Sequence, residues 1–528
     1  MWLKDRGYVT SRWNDFGGGI NLRQSNDSID DKQSQIAINV ASEGNKLITL
    51  PWYVSYYTPA AWVTKGQAIT IYQDYVISLH NRNLYVFDTT TSTTYTKANA
   101  VANAVDIYSI ITTKSFGWDI SIVCINSIPS TTEDIVWYEW NTTTHVFSNI
   151  TFTSLANKNF KCGAFYDWKL LLGGNPSFPS SLYYSKTWSV AAPTDLYDFS
   201  AYSSWAQNIG DGEAITWIIS NNSELFVFKT NSVWKNTWYN DTWADAVSKS
   251  FAYIFKQISQ TWSINPHTFV AVEQDVLYFD WLSIRRLSYE QNMAALSDDS
   301  VSKDIERVFT QLPSDQRNNA TMYYSYPFVK TFLKDKFSVS NAVGILYNVV
   351  DKSFSIQQWV EATQWVGWFI ANKRSCYFIT SQTSTVYKDW VWTSYQWGNI
   401  NVSHLSKRYV LGDWVDYKRI SQLELYGKTS PLLTTYIDVY VNWLLIDTRT
   451  IYKADVLVST TGSAPLWNSL FGANSEDDPN ELQDYVERFE YFNDWRDFQF
   501  WIRSNWQWRF ELHWLNLMYK AIKAYNIH

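Results

Sequence analysis

Residues 75–88 read YVISLHNRNLYVFD, and this stretch decides the fold class. Two apolar runs, residues 76–79 and 84–87, enclose a short polar segment. Short runs rich in β-branched and aromatic residues, bounded by polar turn residues, are typical of strands that form a hairpin. The stretch therefore predicts two antiparallel β-strands joined by a turn.

The same pattern of strand, polar turn and strand returns along the chain, whereas long helical periodicity is scarce. Seven segments carry it: residues 75–88, 120–150, 160–184, 215–234, 269–287, 342–359 and 368–390. Their spacing of roughly 30 to 55 residues suits the blades of a propeller. We predict an all-β fold with a β-propeller-like body of about six to eight blades. A β-sandwich array is the competing architecture.

Three parts are expected along the chain. Residues 1–60 form an N-terminal arm with the first strands, residues 61–399 the propeller, and residues 400–528 a β-sandwich-like domain. The last part is predicted because several of its segments alternate like half-buried strands, namely residues 420–426, 434–446, 485–500 and 509–519. Residues 466–478 between them are polar and predict a loop.

One short helix is expected in residues 300–318. Val301, Ile305, Val308 and Phe309 fall at helical spacing, with charged residues between them. We interpret this helix as a packing element in a connection.

Composition bounds the classes of partner. The 528 residues carry a net charge of −7, and no extended basic stretch is present, so sequence-wide attraction to nucleic acid is not expected. No run of about 20 apolar residues predicts a transmembrane helix. The N-terminus lacks the apolar run of a signal peptide. We expect a soluble protein that is made in the cytoplasm.

Three cysteines, Cys124, Cys162 and Cys376, are too few and too scattered for a disulfide framework. Each lies in an apolar run, which predicts a small buried hydrophobic side chain.

Glycine is scarce where tryptophan is abundant. The chain has 19 glycines and 30 tryptophans, whereas average usage gives roughly 37 glycines for this length. Many tryptophans stand where turn chemistry favours glycine, as in Pro51-Trp52, Asp280-Trp281, Asp413-Trp414, Asn442-Trp443 and residues 505–508. We hypothesise that many of these codons are UGA and are read as glycine in the source, a reassignment of the genetic code. Genuine aromatic enrichment, as on sugar-binding surfaces, is the alternative. Trp234 lies in a strand-like context and is expected to be genuine.

No catalytic, cofactor-binding or metal-binding residue is predicted. The six histidines, His80, His145, His267, His404, His513 and His528, lack metal-ligand spacing. Residues 17–19 (Gly-Gly-Gly) indicate backbone flexibility rather than a phosphate cradle. The acidic pairs at 30–31 and 298–299 and the acidic run 476–478 are interpreted as solvated loops. We expect no cofactor and no enzyme activity.

Several segments resemble a family of bacteriophage tail proteins of the nozzle or connector type that contain a β-propeller. Residues 14–23 (NDFGGGINLR), followed by an Asp/Gln-rich stretch, Asn39 and Pro51-Trp52-Tyr53, are similar to the start of these proteins. Further resemblance lies in residues 182–185, 211–217, 225–229 with 232–234, and 278–281 with 283–287. The order of these segments carries the resemblance, which covers most of residues 10–290 and, loosely, the C-terminal domain.

The resemblance implies a virion structural protein, a subunit of a tail or neck ring around the passage for DNA. It also implies partners: further copies of the chain, other tail or neck proteins, and viral DNA that passes without sequence-specific binding. A carbohydrate- or receptor-binding surface protein of the virion is one alternative, and a propeller glycoside hydrolase is another.

Overall fold

We describe the fold from a computed structural model of the chain. It describes residues 9–13, 16, 18–24, 30, 32–50, 52–59, 65–103, 108–114, 119–126, 135–152, 155, 159–186, 196–199, 207–210, 212–221, 224–239, 253–261, 263, 267–273, 275–290, 295–333, 343–358, 362, 364–370, 373–380, 383–391, 402–410, 417–429, 434–452, 483–490, 494–495, 497–504 and 510–522.

Six strands open the chain. They are β1 (Val9–Trp13), β2 (Gly19–Ile20), β3 (Gln33–Ile38), β4 (Val40–Glu43), β5 (Lys46–Thr49) and β6 (Trp52–Tyr57).

Five four-stranded antiparallel sheets follow. Sheet 1 contains β7 (Gly66–Tyr72), β8 (Tyr75–His80), β9 (Asn83–Asp88) and β10 (Thr93–Lys97). Sheet 2 contains β11 (Tyr108–Lys114), β12 (Ile120–Asn126), β13 (Ile135–Trp140) and β14 (Phe147–Ile150). Sheet 3 contains β15 (Cys162–Tyr166), β16 (Lys169–Gly173), β17 (Ser181–Tyr184) and β18 (Gln207–Asn208). Sheet 4 contains β19 (Ile215–Asn221), β20 (Glu224–Lys229), β21 (Val233–Tyr239) and β22 (Tyr253–Ser259). Sheet 5 contains β23 (Phe269–Val272), β24 (Asp275–Phe279), β25 (Ile284–Glu290) and β26 (Ala295–Ser300).

Two more units of the same kind come after a helical connection. Sheet 6 contains β27 (Thr321–Ser325), β28 (Phe328–Leu333), β29 (Val343–Asn348) and β30 (Ser353–Gln358). Sheet 7 contains β31 (Gln364–Ile370), β32 (Lys373–Ile379) and β33 (Val386–Val391), and its fourth strand is β6 from the N-terminal region. Each of the seven segments predicted from the sequence lies in a different one of these sheets, and the all-β class is confirmed.

Hydrophobic clusters connect each sheet to the next one along the chain. Sheets 1 and 2 share a cluster, as do sheets 2 and 3 and every further pair up to sheets 6 and 7. Sheet 7 also shares a cluster with sheet 1. Examples are Leu79 with Ile122, Val123 with Leu170, Leu171 with Ile218, Phe228 with Tyr278, Phe279 with Met322, Phe332 with Phe378, and Ile379 with Ile69. Strands that carry apolar residues on both faces are buried on both sides.

The helical connection differs from the single helix that the sequence predicts. A 3₁₀ turn (Lys303–Ile305) leads into α1 (Glu306–Gln311), and α2 (Ser314–Asn318) follows. Leu312, which precedes Pro313, is extended, because the proline ring disfavours the helical conformation of the residue before it. Phe309 and Ile305 are buried as expected. Among the described residues, no helix reaches the length and apolar character that crossing a membrane requires.

The C-terminal strands combine with the N-terminal ones. They are β34 (Val402–Ser406), β35 (Tyr409–Val410), β36 (Tyr417–Thr429), β37 (Thr434–Val441), β38 (Leu444–Tyr452), β39 (Gln483–Glu490), β40 (Asp494–Trp495), β41 (Asp497–Ser504) and β42 (Phe510–Ile522). The order β39-β36-β42-β5-β4, with β1 and β40 attached, forms sheet 8. The order β3-β34-β41-β37-β38, with β2 and β35 attached, forms sheet 9, which joins sheet 6 where Ile38 pairs with Ile356.

Sheets 8 and 9 contribute to the same hydrophobic core. Leu425 and Leu515 of sheet 8 and Ile437 and Phe500 of sheet 9 belong to one cluster of buried residues. The division of the chain at residues 60 and 400 stays a prediction. The strand pairing shows a feature that this division did not include. Strands of the first 60 residues lie within sheets 7, 8 and 9.

Candidate functional site

A cavity of about 410 Å³ lies where the first strands of the seven sheets meet. All seven strands contribute to its lining, with Ile69, Ser109, Ala164, Ile218, Phe269, Thr321 and Gln364 as examples. Among the described lining residues none is an Asp, Glu, Lys or Arg. The lining offers apolar contact and neutral hydrogen-bonding groups, in a volume typical of small-molecule sites.

Gln364 is the central polar group of this cavity. Its side-chain oxygen accepts a hydrogen bond from the Ile69 backbone N–H at 3.2 Å. Its amide nitrogen donates to the Tyr108 carbonyl oxygen and lies 3.3 Å from Nε2 of His267. Which of Gln364 and His267 donates in this contact depends on the tautomer of the imidazole ring. One side chain thus connects sheets 1, 2 and 7.

A buried ion pair connects sheets 6 and 7. Nζ of Lys330 lies 2.5 Å from Oδ2 of Asp389, and both side chains are almost fully buried. The hydroxyl of Tyr323 donates to the same carboxylate oxygen at 3.2 Å. Burial, and then the charge of Asp389, raise the pKa of Tyr323 well above its ordinary value. The arrangement is suited to fixing two sheets rather than to proton transfer at a cavity.

The histidines of the described residues lie in separate parts of the fold. His80 lies in β8 and His404 in β34, and burial lowers the pKa of each to about 3. His145 lies in a turn and stacks on Tyr95 with ring centroids 4.2 Å apart. His513 lies in β42, and His528 lies outside the described residues. Within the described part of the chain, no group of three His, Cys, Asp or Glu residues could hold a metal ion.

The acidic pairs and the glycine run have structural surroundings. Asp30 is exposed, and its carboxylate accepts the Lys32 backbone N–H in a turn. Asp299 is exposed in β26. Gly19 was expected in a flexible segment, but it is buried in β2 with φ of 62°. A Cβ there would lie 2.4 Å from the Phe354 backbone nitrogen. Asp31 and residues 476–478 lie outside the described residues.

All three cysteines are free and buried, as predicted. Burial raises the pKa of the Cys124 thiol to about 12 and also raises that of Cys162.

The β38 tip, defined as Trp443, Leu444, Leu445 and Ile446, is an exposed apolar surface. The exposed fractions of these side chains run from 40% to 67%. The tip begins the last strand of sheet 9, which pairs with β37 in the described part of the chain. Contiguous exposed apolar side chains mark sites of interaction with other molecules.

A smaller cavity of about 220 Å³ lies beside the β38 tip. The guanidinium of Arg408 lies 4.2 Å from the ring centroid of Trp443, and its Nη2 atom lies 2.5 Å from Oδ2 of Asp497. Leu405, Tyr440, Gln499 and Trp501 complete the lining. This side of the tip therefore combines a buried ion pair with apolar walls.

Sequence reasoning missed Gln364, His267 and the β38 tip. Gln364 lies in β31 and His267 lies just before β23, and no local pattern indicates that they meet. The tip had a local signal, since residues 443–446 are four consecutive large apolar residues in a segment that otherwise alternates.

Comparisons with known proteins leave the family open. No known family description matches the chain, and no curated protein matches it. Among solved structures, the chain is similar to the computationally designed Ika8 protein, with a TM-score of 0.37, 10% identity, and coverage of 65% of this chain and 100% of that one. It is also similar to the extracellular domain of a putative one-component system from B. thetaiotaomicron, with a TM-score of 0.41, 9% identity, and coverage of 81% of this chain. The chain spans about half the length of that domain, as it covers 50% of it. TM-scores below 0.5 define neither the fold nor the function of this chain.

Proposed function

We propose that the chain is a structural subunit of a ring in a virion tail or neck, as a tube nozzle or a connector. The observation that carries the proposal is the β38 tip, because a protein that presents four adjacent large apolar side chains gains stability by covering them. A neighbouring copy is the occupant that we propose. Contacts between different surfaces of identical copies close into rings when the rotation permits.

The body of the subunit, in this proposal, is a seven-bladed β-propeller. Six four-stranded sheets of the described residues support it, as does the four-stranded unit β27–β30, which is part of an eleven-stranded sheet. The hydrophobic clusters that run from sheet 1 to sheet 7 and back to sheet 1 support it as well. The pairing of β6 with β33 unites strands from the two ends of the circle. Sheets 8 and 9 form a β-sandwich around their common core. Radial repetition leaves only short edges and gives a rigid body, which suits a mechanical part.

The proposed DNA passage lies between the copies. The cavity inside one chain has the volume of a small-molecule site, which is far too small for a nucleic-acid duplex. A ring subunit needs no basic channel of its own, and the net charge of −7 is compatible with DNA that slides past.

Parts of the segments that resemble tail proteins lie in strands. Residues 225–229 lie in β20, residues 278–279 in β24 and residues 284–287 in β25. These strands contribute buried side chains to sheets 4 and 5, so the resemblance involves the body of the subunit and not only its surface.

Analytical ultracentrifugation and negative-stain electron microscopy of the purified chain test whether it assembles into a ring. We expect a ring of several copies, and a monomer at high protein concentration would overturn the proposal. The variant Leu444→Asp/Ile446→Asp should dissociate the ring, since it places charges on the tip. Val146→Asp is the matched control, because Val146 is also exposed, at 57%, but lies outside the tip. A ring that survives in the tip variant would exclude the tip as the contact.

Peptide mass spectrometry of purified particles from the source tests the virion role. The chain should be present among the structural proteins. If it is absent from particles, the tail assignment falls.

Recognition of a carbohydrate or receptor on the virion surface is the second candidate. It is favoured by the exposure of Trp168 and Trp443, at 62% and 63%, because exposed indole rings stack on sugar faces. Binding of the chain to a glycan array, lost in Trp168→Ala or Trp443→Ala, would favour this function. A ring without glycan binding would favour the first.

A further inference from the structure

Three tryptophans in the described part of the chain have a left-handed backbone. The φ angles are 58° at Trp168, 84° at Trp281 and 69° at Trp443. Bulky L-residues rarely adopt this conformation because the Cβ atom approaches the backbone, whereas glycine adopts it freely. Gly210 and Gly212, with φ of 66° and 86°, show the same range in this chain.

Two of the three occupy the second position of a two-residue hairpin loop. Tyr166 pairs with Lys169 around Asp167-Trp168, and Val441 pairs with Leu444 around Asn442-Trp443. Both residues of each loop have positive φ, which is the pattern of a type I′ turn. Asp-Gly and Asn-Gly are the preferred sequences of that turn. The first residue of each loop already fits this preference, and the second is the exception.

Trp281 stands in the turn between β24 and β25. Oδ1 of Asp280 accepts the backbone N–H groups of Leu282 at 3.1 Å and Ser283 at 2.7 Å. The Asp280 backbone N–H donates to the Ser283 carbonyl oxygen at 3.0 Å. These bonds hold the chain around position 281, where φ of 84° favours glycine.

Other tryptophans have sites shaped for an indole ring. Trp137 and Trp140, in β13, are 2% and 0% exposed. Trp234, in β21, donates from Nε1 to Oγ of Ser232 at 2.9 Å and covers Gly210 so closely that a Cβ there would lie inside contact distance of the ring. The described tryptophans thus include two kinds: buried or partly buried side chains in strands, and side chains attached to glycine-like turns.

Two contacts argue against glycine at the positions where tryptophan stands in a turn. The guanidinium of Arg408 lies 4.2 Å from the ring of Trp443, and that of Arg317 lies 4.6 Å from the ring of Trp281. Arg82, with φ of 73°, also shows that a long side chain is accommodated at one such turn. If these tryptophans are genuine, replacing them by glycine removes the cation–π attraction and lowers the stability of the fold. If glycine is native there, the same replacement raises the stability, so a measurement of stability distinguishes the two cases.

We propose that the protein in its source carries glycine at positions 168, 281 and 443, and that the codon there is UGA read as glycine. Positions 137, 140 and 234 carry tryptophan encoded by UGG. This inference does not depend on the ring proposal, because with glycine at position 443 the β38 tip keeps Leu444, Leu445 and Ile446 exposed. It removes the support for sugar binding, which rests on the rings of Trp168 and Trp443.

The coding sequence and the native peptides test it directly. UGA at 168, 281 and 443 with UGG at 137, 140 and 234 is the expected result, and UGG at the first three positions overturns the proposal. Mass spectrometry of the native protein should give the residue mass of glycine at the first three positions. The mass of tryptophan there overturns the proposal as well.

Recombinant variants give an independent test. The triple variant Trp168→Gly/Trp281→Gly/Trp443→Gly should unfold at a higher urea concentration than the chain with the printed sequence. The matched variant Trp137→Gly/Trp140→Gly/Trp234→Gly should unfold at a lower one. A lowered urea midpoint for the first variant contradicts the proposal, since it would show that the rings at the turns stabilise the fold.

Discussion

Nζ of Lys330 on β28 lies 2.5 Å from Oδ2 of Asp389 on β33, and the two side chains are 1% and 3% exposed. The pair therefore joins sheet 6 to sheet 7 inside the protein. Removing one partner leaves the other charge buried without its counter-ion, which costs about 3–5 kcal/mol in comparable pairs. We expect Lys330→Met and Asp389→Asn each to lower the free energy of unfolding by about that amount in urea titrations.

The double variant Lys330→Met/Asp389→Leu distinguishes charge from packing. It should recover most of the loss, because both charges are removed together. Asp275→Asn serves as the control, since it breaks the partly exposed pair with Arg286, whose side chain is 39% exposed. That change should cost less than about 1 kcal/mol. Equal losses at both sites would contradict the role of burial.

The two buried histidines predict instability in acid. The pKa of His80 and that of His404 are lowered by burial from 6.5 to about 3. Below pH 6.5 the unfolded chain binds protons that the folded chain does not, so stability is complete above that pH and is lost as the pH falls toward 3. Each histidine should contribute a loss of about 2 kcal/mol at about pH 5.

Urea unfolding between neutral pH and about pH 5 measures this effect. His80→Leu/His404→Leu should flatten the pH dependence relative to the unmodified chain. Phe500→Leu is the control, because Phe500 contacts the His404 ring without titrating, and it should lower stability by a similar amount at every pH. An unchanged slope in the histidine variant would show that other groups cause the acid loss.

Sequence patterns predicted the strands well because strand periodicity is local. In residues 75–88, the apolar runs and the polar turn between them gave β8, β9 and their pairing of Leu79 with Leu84. The helix in residues 300–318 was predicted with its buried residues but not with its break at Pro313. Turn chemistry at Asn442-Trp443 gave the hairpin at the right residues.

Partner choice between distant strands could not be predicted in this way. Nothing near Val54 indicates that β6 pairs with β33 through Lys388, since the two strands belong to distant parts of the chain. The cavity could not be predicted from local patterns either, because Gln364 and His267 meet only after separate parts of the chain have packed together. Composition did indicate the anomaly of the tryptophans, but only backbone angles distinguish one position from another.

Gln364 should contribute to stability mainly through the hydrogen bonds of its side-chain amide. Its amide satisfies the Ile69 N–H and the Tyr108 carbonyl oxygen, both buried. Gln364→Met keeps the length of the side chain but leaves these groups unpaired, which should cost about 1–3 kcal/mol. Gln311→Met, at an exposed position of α1, should change the unfolding free energy by less than about 0.5 kcal/mol.

Tyr57 provides a test of the contact between sheet 7 and sheet 1. It lies on β6, and its ring stacks on that of Phe87 of sheet 1 with centroids 4.3 Å apart. Its hydroxyl lies 2.6 Å from Oγ of Ser78, also of sheet 1. The N-terminal strand therefore holds sheet 7 against sheet 1 at this residue. Tyr57→Ala should lower the free energy of unfolding by about 3–5 kcal/mol, as expected for a buried aromatic ring.

Tyr57→Phe separates the hydroxyl from the ring. It retains the stacking but removes one hydrogen bond, so a loss of about 1 kcal/mol is expected. Ser78→Ala should cost a similar amount, and the double variant Tyr57→Phe/Ser78→Ala should cost less than the sum of the two, since both partners are then absent. If Tyr57→Ala leaves the urea midpoint unchanged, the contact of β6 with sheet 1 does not stabilise the fold in solution.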